Sequence, residues 1–133
     1  MADDLERVRN HLARYCHVVD RENADTIAGL FWDDAVLDFN GRHEGAAAIR
    51  RCYADWIAAM REPVVGLRHL IYAPAIELDG DSATAETYFD ADGHSRKRGT
   101  PIRLRGLYSD RLSRRDGHWR FAEREIRLFE PLD

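Results

Sequence analysis

Three residues that lie far apart in the chain could together transfer protons: a phenol at Tyr15, a carboxylate at Asp20 and an imidazole at His69. A neutral imidazole is a base near neutral pH, and a carboxylate bonded to one ring nitrogen fixes its tautomer and stabilises the imidazolium. A phenol can donate a proton or hold an oxyanion. Together, these groups could remove a proton beside an activating group and expel a leaving group.

The first predicted helix begins near Asp3 or Asp4 and runs to about Val19, which places Asp20 at its end. Tyr15 lies on the apolar stripe of this helix, whose members recur at three- and four-residue steps: Leu5, Val8, Leu12, Tyr15 and Val19. The helix dipole disfavours negative charge in the last turn. We therefore expect Asp20 to have a local partner.

His69 lies in the middle of a predicted strand and shares one face with Leu67 and Ile71. An imidazole among apolar neighbours needs a hydrogen-bond partner, which can be either a backbone group or Asp20. The first alternative makes His69 an ordinary core residue, and the second makes it an aimed base. Tyr15 is likewise either a core tyrosine with a bonded hydroxyl or part of a site.

The first half of the chain is predicted to be mostly helical. Helices are expected at about residues 4–19, 24–31 and 46–61, with a turn at residues 32–34 and a short strand at 35–39. Pro63 ends the third helix. The short strand ends at Asn40 and Gly41 and presents Phe39 on its apolar face.

The second half is predicted to be a meander of long strands joined by acidic or glycine turns. The strands are expected at about residues 67–78, 82–90, 102–112 and 119–128. Pro74 predicts a bulge or an edge in the first of them, and Asp116-Gly117 predicts a hairpin. The pattern favours an α+β fold in which a strongly curved antiparallel sheet wraps three N-terminal helices and encloses a cavity.

Length and composition narrow the function. The 133 residues predict one domain over residues 1–133, and the net charge of -4 argues against a nucleic-acid partner. Two cysteines are too few for a disulfide framework, and no signal peptide or membrane-spanning run is evident, so we expect a cytoplasmic protein without a membrane partner. His43 and Glu44 have no companions at metal-ligand spacing, so neither a metal nor a cofactor is expected.

Several segments together resemble a SnoaL-like domain of the nuclear-transport-factor-2-like superfamily, and the resemblance spans nearly the whole chain. It rests on residues 15–20, 31–36, 68–70, 78–81 and 116–120. The resemblance implies a cone-shaped α+β barrel. It also implies a choice of functions, because the family includes dehydratases, isomerases, cyclases, a dehydrochlorinase, epoxide hydrolases and non-catalytic binding domains.

One branch is closest in its site pattern: bile-acid 7α-dehydratase, scytalone dehydratase and hexachlorocyclohexane dehydrochlorinase. These proteins are similar in placing an aspartate at the end of the first helix and a histidine on the strand after the third, which Asp20 and His69 match. Tyr15 matches a tyrosine of the bile-acid enzyme, whereas Phe39 stands where scytalone dehydratase has a tyrosine. Ketosteroid isomerase has its base on the first short strand, but Asp38 is one residue out of register and should point away from the cavity.

The resemblance implies a cofactor-independent lyase of the dehydratase type, or a related isomerase or cyclase, with His69, Asp20 and Tyr15 as its catalytic residues. The substrate would be a hydrophobic small molecule, polycyclic or steroid-like, and its predicted contacts are Arg124, Phe39, Trp56, Tyr88 and Tyr108. Arg127 is the rival of Arg124 on the opposite strand face. The alternatives are a non-catalytic binding domain and the small subunit of a ring-hydroxylating dioxygenase. A homo-oligomer is expected, with a trimer ahead of a dimer.

Overall fold

Helices come first in the chain, as the computed structural model, which describes residues 3–129, shows. They are α1 (Asp4–Arg21), α2 (Ala24–Ala28) and α3 (Ala46–Trp56), and α3 continues into a π-helical turn (Ile57–Arg61). Side chains cap the first two helices: Asp3 accepts from the backbone N–H of Glu6 at 2.7 Å, and Asn23 accepts from that of Thr26 at 2.8 Å. No helix within residues 3–129 combines the length and the apolar composition needed to cross a bilayer.

Within residues 3–129, seven strands form one curved sheet. In chain order they are β1 (Phe31–Asp38), β2 (Arg42–Glu44), β3 (Val64–Ile71), β4 (Ala75–Asp79), β5 (Ser82–Ser95), β6 (Pro101–Arg115) and β7 (His118–Leu128). Their order across the sheet is β2-β1-β7-β6-β5-β3, and β4 also pairs with β5. All neighbours are antiparallel except β1 and β7, which are parallel.

The core lies between the inner face of the sheet and the helices. On β5, for example, Ala85, Thr87 and Phe89 are buried, whereas Glu86 and Tyr88 between them are exposed. This period of two is the mark of a strand with one face packed and the other in water. The predicted α+β fold, with helices first and a curved, mostly antiparallel sheet after them, is confirmed.

Several predicted boundaries were wrong. Residues 32–34 were predicted to form a turn but belong to β1. A register shift between Phe31 and Val36 lets Asp33 and Asp34 turn outward without ending the strand. The strand β5 continues to Ser95, through residues that were assigned to a connection. The three-residue strand β2 and the parallel pairing of β1 with β7 were not predicted, since neither leaves a hydrophobic period in the sequence.

The hairpin between β6 and β7 is confirmed. Asp116 and Gly117 have φ values of 53° and 78°, and positive φ at both central residues defines the type I′ turn that suits twisted strands. The interruption at Pro74 is also confirmed, since residues 72–74 separate β3 from β4. Both features could be predicted because they depend on local backbone chemistry alone.

Candidate active site

Asp20 and His69 meet where the end of α1 lies against β3. The Nδ1 atom of His69 is 2.6 Å from one carboxylate oxygen of Asp20, and the backbone N–H of His69 donates to the other oxygen at 3.0 Å. A carboxylate only accepts hydrogen bonds, so Nδ1 carries the proton in the neutral ring. One aspartate thus fixes both the backbone and the ring of His69.

The other ring nitrogen of His69 is available to a ligand. Among residues 3–129, Nε2 has no hydrogen-bond partner, and it is not sealed in the protein interior. The imidazole lies beside two aromatic rings, with ring centroids 6.0 Å away at Trp56 and 6.2 Å away at Phe89. These neighbours restrict the ring, and His69 is among the residues that line the adjacent cavity.

That cavity has a volume of about 150 Å³ and lies between the helices and the inner face of the sheet. Its polar lining comes from His69, Asn40 and three tyrosines, Tyr15, Tyr53 and Tyr108. The remaining lining is apolar or aromatic and includes Phe39, Trp56, Met60, Leu104, Ile126 and Leu128. An apolar cavity with a few convergent polar groups is the usual form of a small-molecule site.

Two of the three tyrosines are bonded to each other. The hydroxyl oxygens of Tyr15 on α1 and Tyr53 on α3 are 2.7 Å apart. Burial raises the pKa of Tyr15 and holds the pKa of Tyr53 well above its ordinary value, so both phenols stay protonated near neutral pH. Two hydroxyls that share one hydrogen bond leave one O–H free to donate to a ligand.

Arg124, predicted as a substrate contact, lies beneath the cavity wall. It is only 2 % exposed and forms two hydrogen bonds to Asp110, at 2.7 and 2.9 Å. Its guanidinium carbon is 4.2 Å from the ring centroid of Tyr15 and 3.9 Å from that of Tyr108. Burial opposes the charge of Arg124, but the contact with Asp110 outweighs it and raises the pKa of the guanidinium above its usual value. The residue therefore supports the tyrosines, and the rival Arg127 faces outward.

Of the other predicted contacts, three line the cavity and one lies on the outer face of the sheet. Phe39, Trp56 and Tyr108 line the cavity, and their part in binding stays a prediction. Tyr88 was placed wrongly: its side chain is 59 % exposed on the outer face. Phe89, its neighbour on β5, lines the cavity instead and stacks on Tyr108 with centroids 4.0 Å apart. Asp38 is exposed, as the strand register predicted.

Sequence reasoning missed Tyr53 and Asn40 as cavity residues. Tyr53 lies within the predicted third helix, and a buried tyrosine needs a partner for its hydroxyl, so that requirement was a usable signal. Asn40 has a positive φ of 53° in the turn after β1, where it reaches the cavity. Within residues 3–129, no three His, Cys, Asp or Glu side chains are grouped in a way that could hold a metal ion.

Comparison with known proteins places this architecture in a family. A family model described as a SnoaL-like domain matches residues 1–125. A comparison with curated proteins gives no match. Among solved structures, a Mycobacterium tuberculosis protein of unknown function is 28% identical with a TM-score of 0.83, and the match covers 97% of this chain and 73% of that one.

Two proteins from Novosphingobium aromaticivorans share the fold at lower identity. One, provisionally assigned as a scytalone dehydratase, is 21% identical with a TM-score of 0.83, over 96% of this chain and 85% of that one. The other, provisionally assigned as an aromatic ring hydroxylase, is 22% identical with a TM-score of 0.81, over 98% and 92%. A third protein from the same organism, an NTF2-like protein with a cystatin-like fold, is 24% identical with a TM-score of 0.81, over 97% of this chain and 84% of that one. Because the family model matches nearly the whole length of this chain, the chain belongs to the SnoaL-like domain family.

Proposed function

We propose that this protein is a lyase of the dehydratase type that uses Asp20 and His69 as one basic unit. One observation carries the proposal: the carboxylate of Asp20 binds Nδ1 of His69 at 2.6 Å while Nε2 is left for a ligand in the cavity. This arrangement suits a general base, because the carboxylate sets the tautomer and stabilises the imidazolium that forms.

In the proposed reaction, Nε2 of His69 removes a proton from a carbon next to a carbonyl group. The negative charge that forms on the carbonyl oxygen is held by a phenolic O–H of the Tyr15–Tyr53 pair. The imidazolium then gives the proton to a departing hydroxyl group on the next carbon. A carbon–carbon double bond forms, one water molecule leaves, and His69 returns to its neutral form.

The role of Tyr15 follows from its surroundings. Its hydroxyl is bonded to Tyr53 at 2.7 Å, and burial raises the pKa of Tyr15. A phenol in such a place is a better hydrogen-bond donor to an oxyanion than a source of a proton. Tyr15→Phe is therefore expected to slow turnover less than His69→Ala. An equal loss would instead assign the leaving-group proton to Tyr15.

Three alternatives use the same cavity. A proton-transfer isomerase or a cyclase would need the same base but would release no water. A binding domain would take up the ligand without converting it. A small subunit of an aromatic-ring oxygenase would need a large catalytic partner, and its support is the shared fold alone.

The test is turnover of a panel of cyclic β-hydroxy ketones, followed by mass spectrometry for loss of one water. His69→Ala should slow turnover by roughly 10²–10⁴-fold, and Asp20→Asn should do the same by favouring the wrong tautomer. The double variant should lose little more than either single one, because two residues that act as one unit cannot each be lost twice. His17→Ala, an exposed histidine on α1, is the matched control and should have no effect.

The outcomes separate the alternatives. Multiplied losses in the double variant would show independent binding roles and contradict the basic unit. Full activity of His69→Ala would remove the proposed base. Binding of the panel without any change in mass would favour the non-catalytic domain.

A further inference from the structure

The size of the cavity restricts the ligand more narrowly than the fold does. Its volume is about 150 Å³. An engineered apolar cavity of about that volume in another protein binds benzene. The enclosed part of a ligand here therefore has the size of one six-membered ring.

The charge of the lining restricts the ligand further. Among the described residues that line the cavity, none is a Lys, Arg, Asp or Glu. The nearby cation of Arg124 is already paired with Asp110 beneath the wall. A cationic ligand would find no anion in the lining, and an anionic one would find only an imidazolium at His69, whose charge is already balanced by Asp20. Either would lose its hydration without gaining a free counter-ion, which is costly. The enclosed part of the ligand must be neutral.

Three of the five polar side chains in the lining lie deep in the cavity, whereas Asn40 is exposed at its mouth. Tyr15, Tyr53 and Tyr108 are buried. The apolar side chains of Met60 and Leu128, in contrast, are 48 % and 44 % exposed, so they mark the rim. A ligand with an oxygen at one end would therefore enter with that end first and leave its apolar end toward the rim.

We propose that the substrate is an uncharged compound that buries a single six-membered ring and directs one oxygen-bearing end toward His69 and Tyr15. Only the conversion of this ligand rests on the proposed function, because the limits on size and charge concern its binding alone. This proposal replaces the polycyclic or steroid-like ligand expected from the sequence. A second fused ring exceeds this volume.

The test is calorimetric titration of the whole protein near neutral pH with phenol, 2-naphthol and benzoate. Phenol should bind, 2-naphthol should bind at least about tenfold more weakly, and benzoate should give no binding. The order of the first two is informative, because a roomy apolar site would prefer the larger ring system for its greater buried area. Phenol and benzoate share one ring size, so the ring does not account for a difference between them, and the charged carboxylate is the main contrast.

A variant pair checks that the enclosed cavity sets the limit. Leu104 lines the cavity, whereas Leu107 on the same strand does not. Leu104→Ala should enlarge the cavity and strengthen 2-naphthol binding, and Leu107→Ala should leave the preference for phenol unchanged. If Leu104→Ala does not fold, the three ligands with the unaltered protein still decide the question.

Each contrary result overturns a stated part of the proposal. Binding of 2-naphthol as tight as that of phenol overturns the size limit, and binding of benzoate overturns neutrality. Absence of phenol binding overturns the assignment of a single-ring ligand. Phenol binding by a protein that dehydrates none of the hydroxy ketones would overturn the lyase and leave the ligand class intact.

Discussion

A single carboxylate accounts for the most unusual local feature of the chain, an acid in the last turn of α1. The helix dipole disfavours a negative charge at Asp20. Its oxygens are satisfied by two donors of His69, the ring Nδ1–H and the backbone N–H. Since β3 is an edge strand, that backbone N–H would otherwise lack a partner in the sheet. The same contact therefore positions the ring and protects the edge.

His11, on α1, is another partly buried histidine, but its environment suits a structural role and not a catalytic one. Its Nε2 is 3.0 Å from the carbonyl oxygen of Leu30, and its ring centroid is 4.8 Å from that of Phe121. Burial lowers the pKa of His11 from 6.5 to about 4. The folded protein therefore holds a neutral imidazole at a pH where the unfolded chain binds a proton.

We predict that His11 makes stability fall as the pH is lowered through the weakly acidic range. The contribution is fully present above pH 6.5 and decreases until the folded pKa, about 4, is reached. Between about pH 7.5 and pH 5 the unfolding free energy should fall by about 2 kcal/mol on this account. Urea titrations of the unaltered protein and of His11→Gln measure it. The variant should lack this part of the fall.

His17→Gln provides the control, since this exposed histidine lies on the same helix. It should leave the pH dependence unchanged. Parallel curves for the unaltered protein and His11→Gln would contradict the assignment.

At this scale, sequence reasoning succeeded where one face of one element decided the outcome. Tyr15 lay on an apolar helical stripe and His69 on an apolar strand face, and the structure brings both to the cavity. Tyr88 was misplaced because the period of two fixes which residues share a face but not which face is inside. Arg124 and Arg127 were alternatives for the inward position, and Arg124 occupies it. Its partner Asp110 on the next strand could not be inferred without the β6–β7 register.

At the scale of elements, the π-helical turn after α3 ties that helix to α1. Arg61 donates through Nη1 to the carbonyl oxygens of Val19, at 3.1 Å, and Glu22, at 2.7 Å. A cation at these carbonyls also complements the negative end of the α1 dipole. The contact flanks Asp20 on both sides in sequence, so it holds the end of α1 that presents this carboxylate.

We predict that Arg61→Met weakens the end of α1. Loss of its two hydrogen bonds should lower the unfolding free energy by roughly 1–2 kcal/mol. Amide hydrogen exchange in the last turn of α1 should accelerate. The matched control is Arg51→Met, because Arg51 is exposed on the same helix. Equal effects of the two substitutions would show that Arg61 has no special role at this end.

The elements differ in how far the sequence could predict them. The third helix was expected to run unbroken to Arg61, but its last turn is bonded from Glu62 N–H to the carbonyl of Ile57, five residues back. Five residues are too few to distinguish the period of an α-helix from that of a π-helix. The pairing of β1 with β7 joins the first and the last strand, and such a long-range contact leaves no local signal.

At the scale of the whole molecule, the outer face of the sheet has an apolar patch, which we call the outer patch and define by Leu70, Tyr72, Tyr88 and Leu107. The first three side chains are exposed. Leu70 and Tyr88 lie on the paired strands β3 and β5, and Tyr72, just after β3, donates its backbone N–H to the carbonyl oxygen of Tyr88 at 3.1 Å. Contiguous exposed apolar side chains favour an interface. The outer patch supports the expectation of a homo-oligomer.

We predict that the protein forms a homo-oligomer through the outer patch, with a trimer ahead of a dimer. Sedimentation should show assembly at micromolar concentration, and Tyr88→Glu should dissociate it by placing a charge in the interface. Thr84→Glu is the control, because Thr84 is exposed on the same face of β5 but outside the outer patch. A monomer at high micromolar concentration would contradict the prediction.

The proposed base depends on the tautomer of His69, because only a ring protonated at Nδ1 offers Nε2 as a base to the cavity. Long-range ¹H–¹⁵N correlation spectra of the imidazole measure this directly and need no substrate. In the unaltered protein the neutral ring should carry its proton on Nδ1. In Asp20→Asn the side-chain amide can donate to Nδ1, so the proton should move to Nε2. A proton on Nε2 in the unaltered protein, or a tautomer that does not change in Asp20→Asn, would contradict the account.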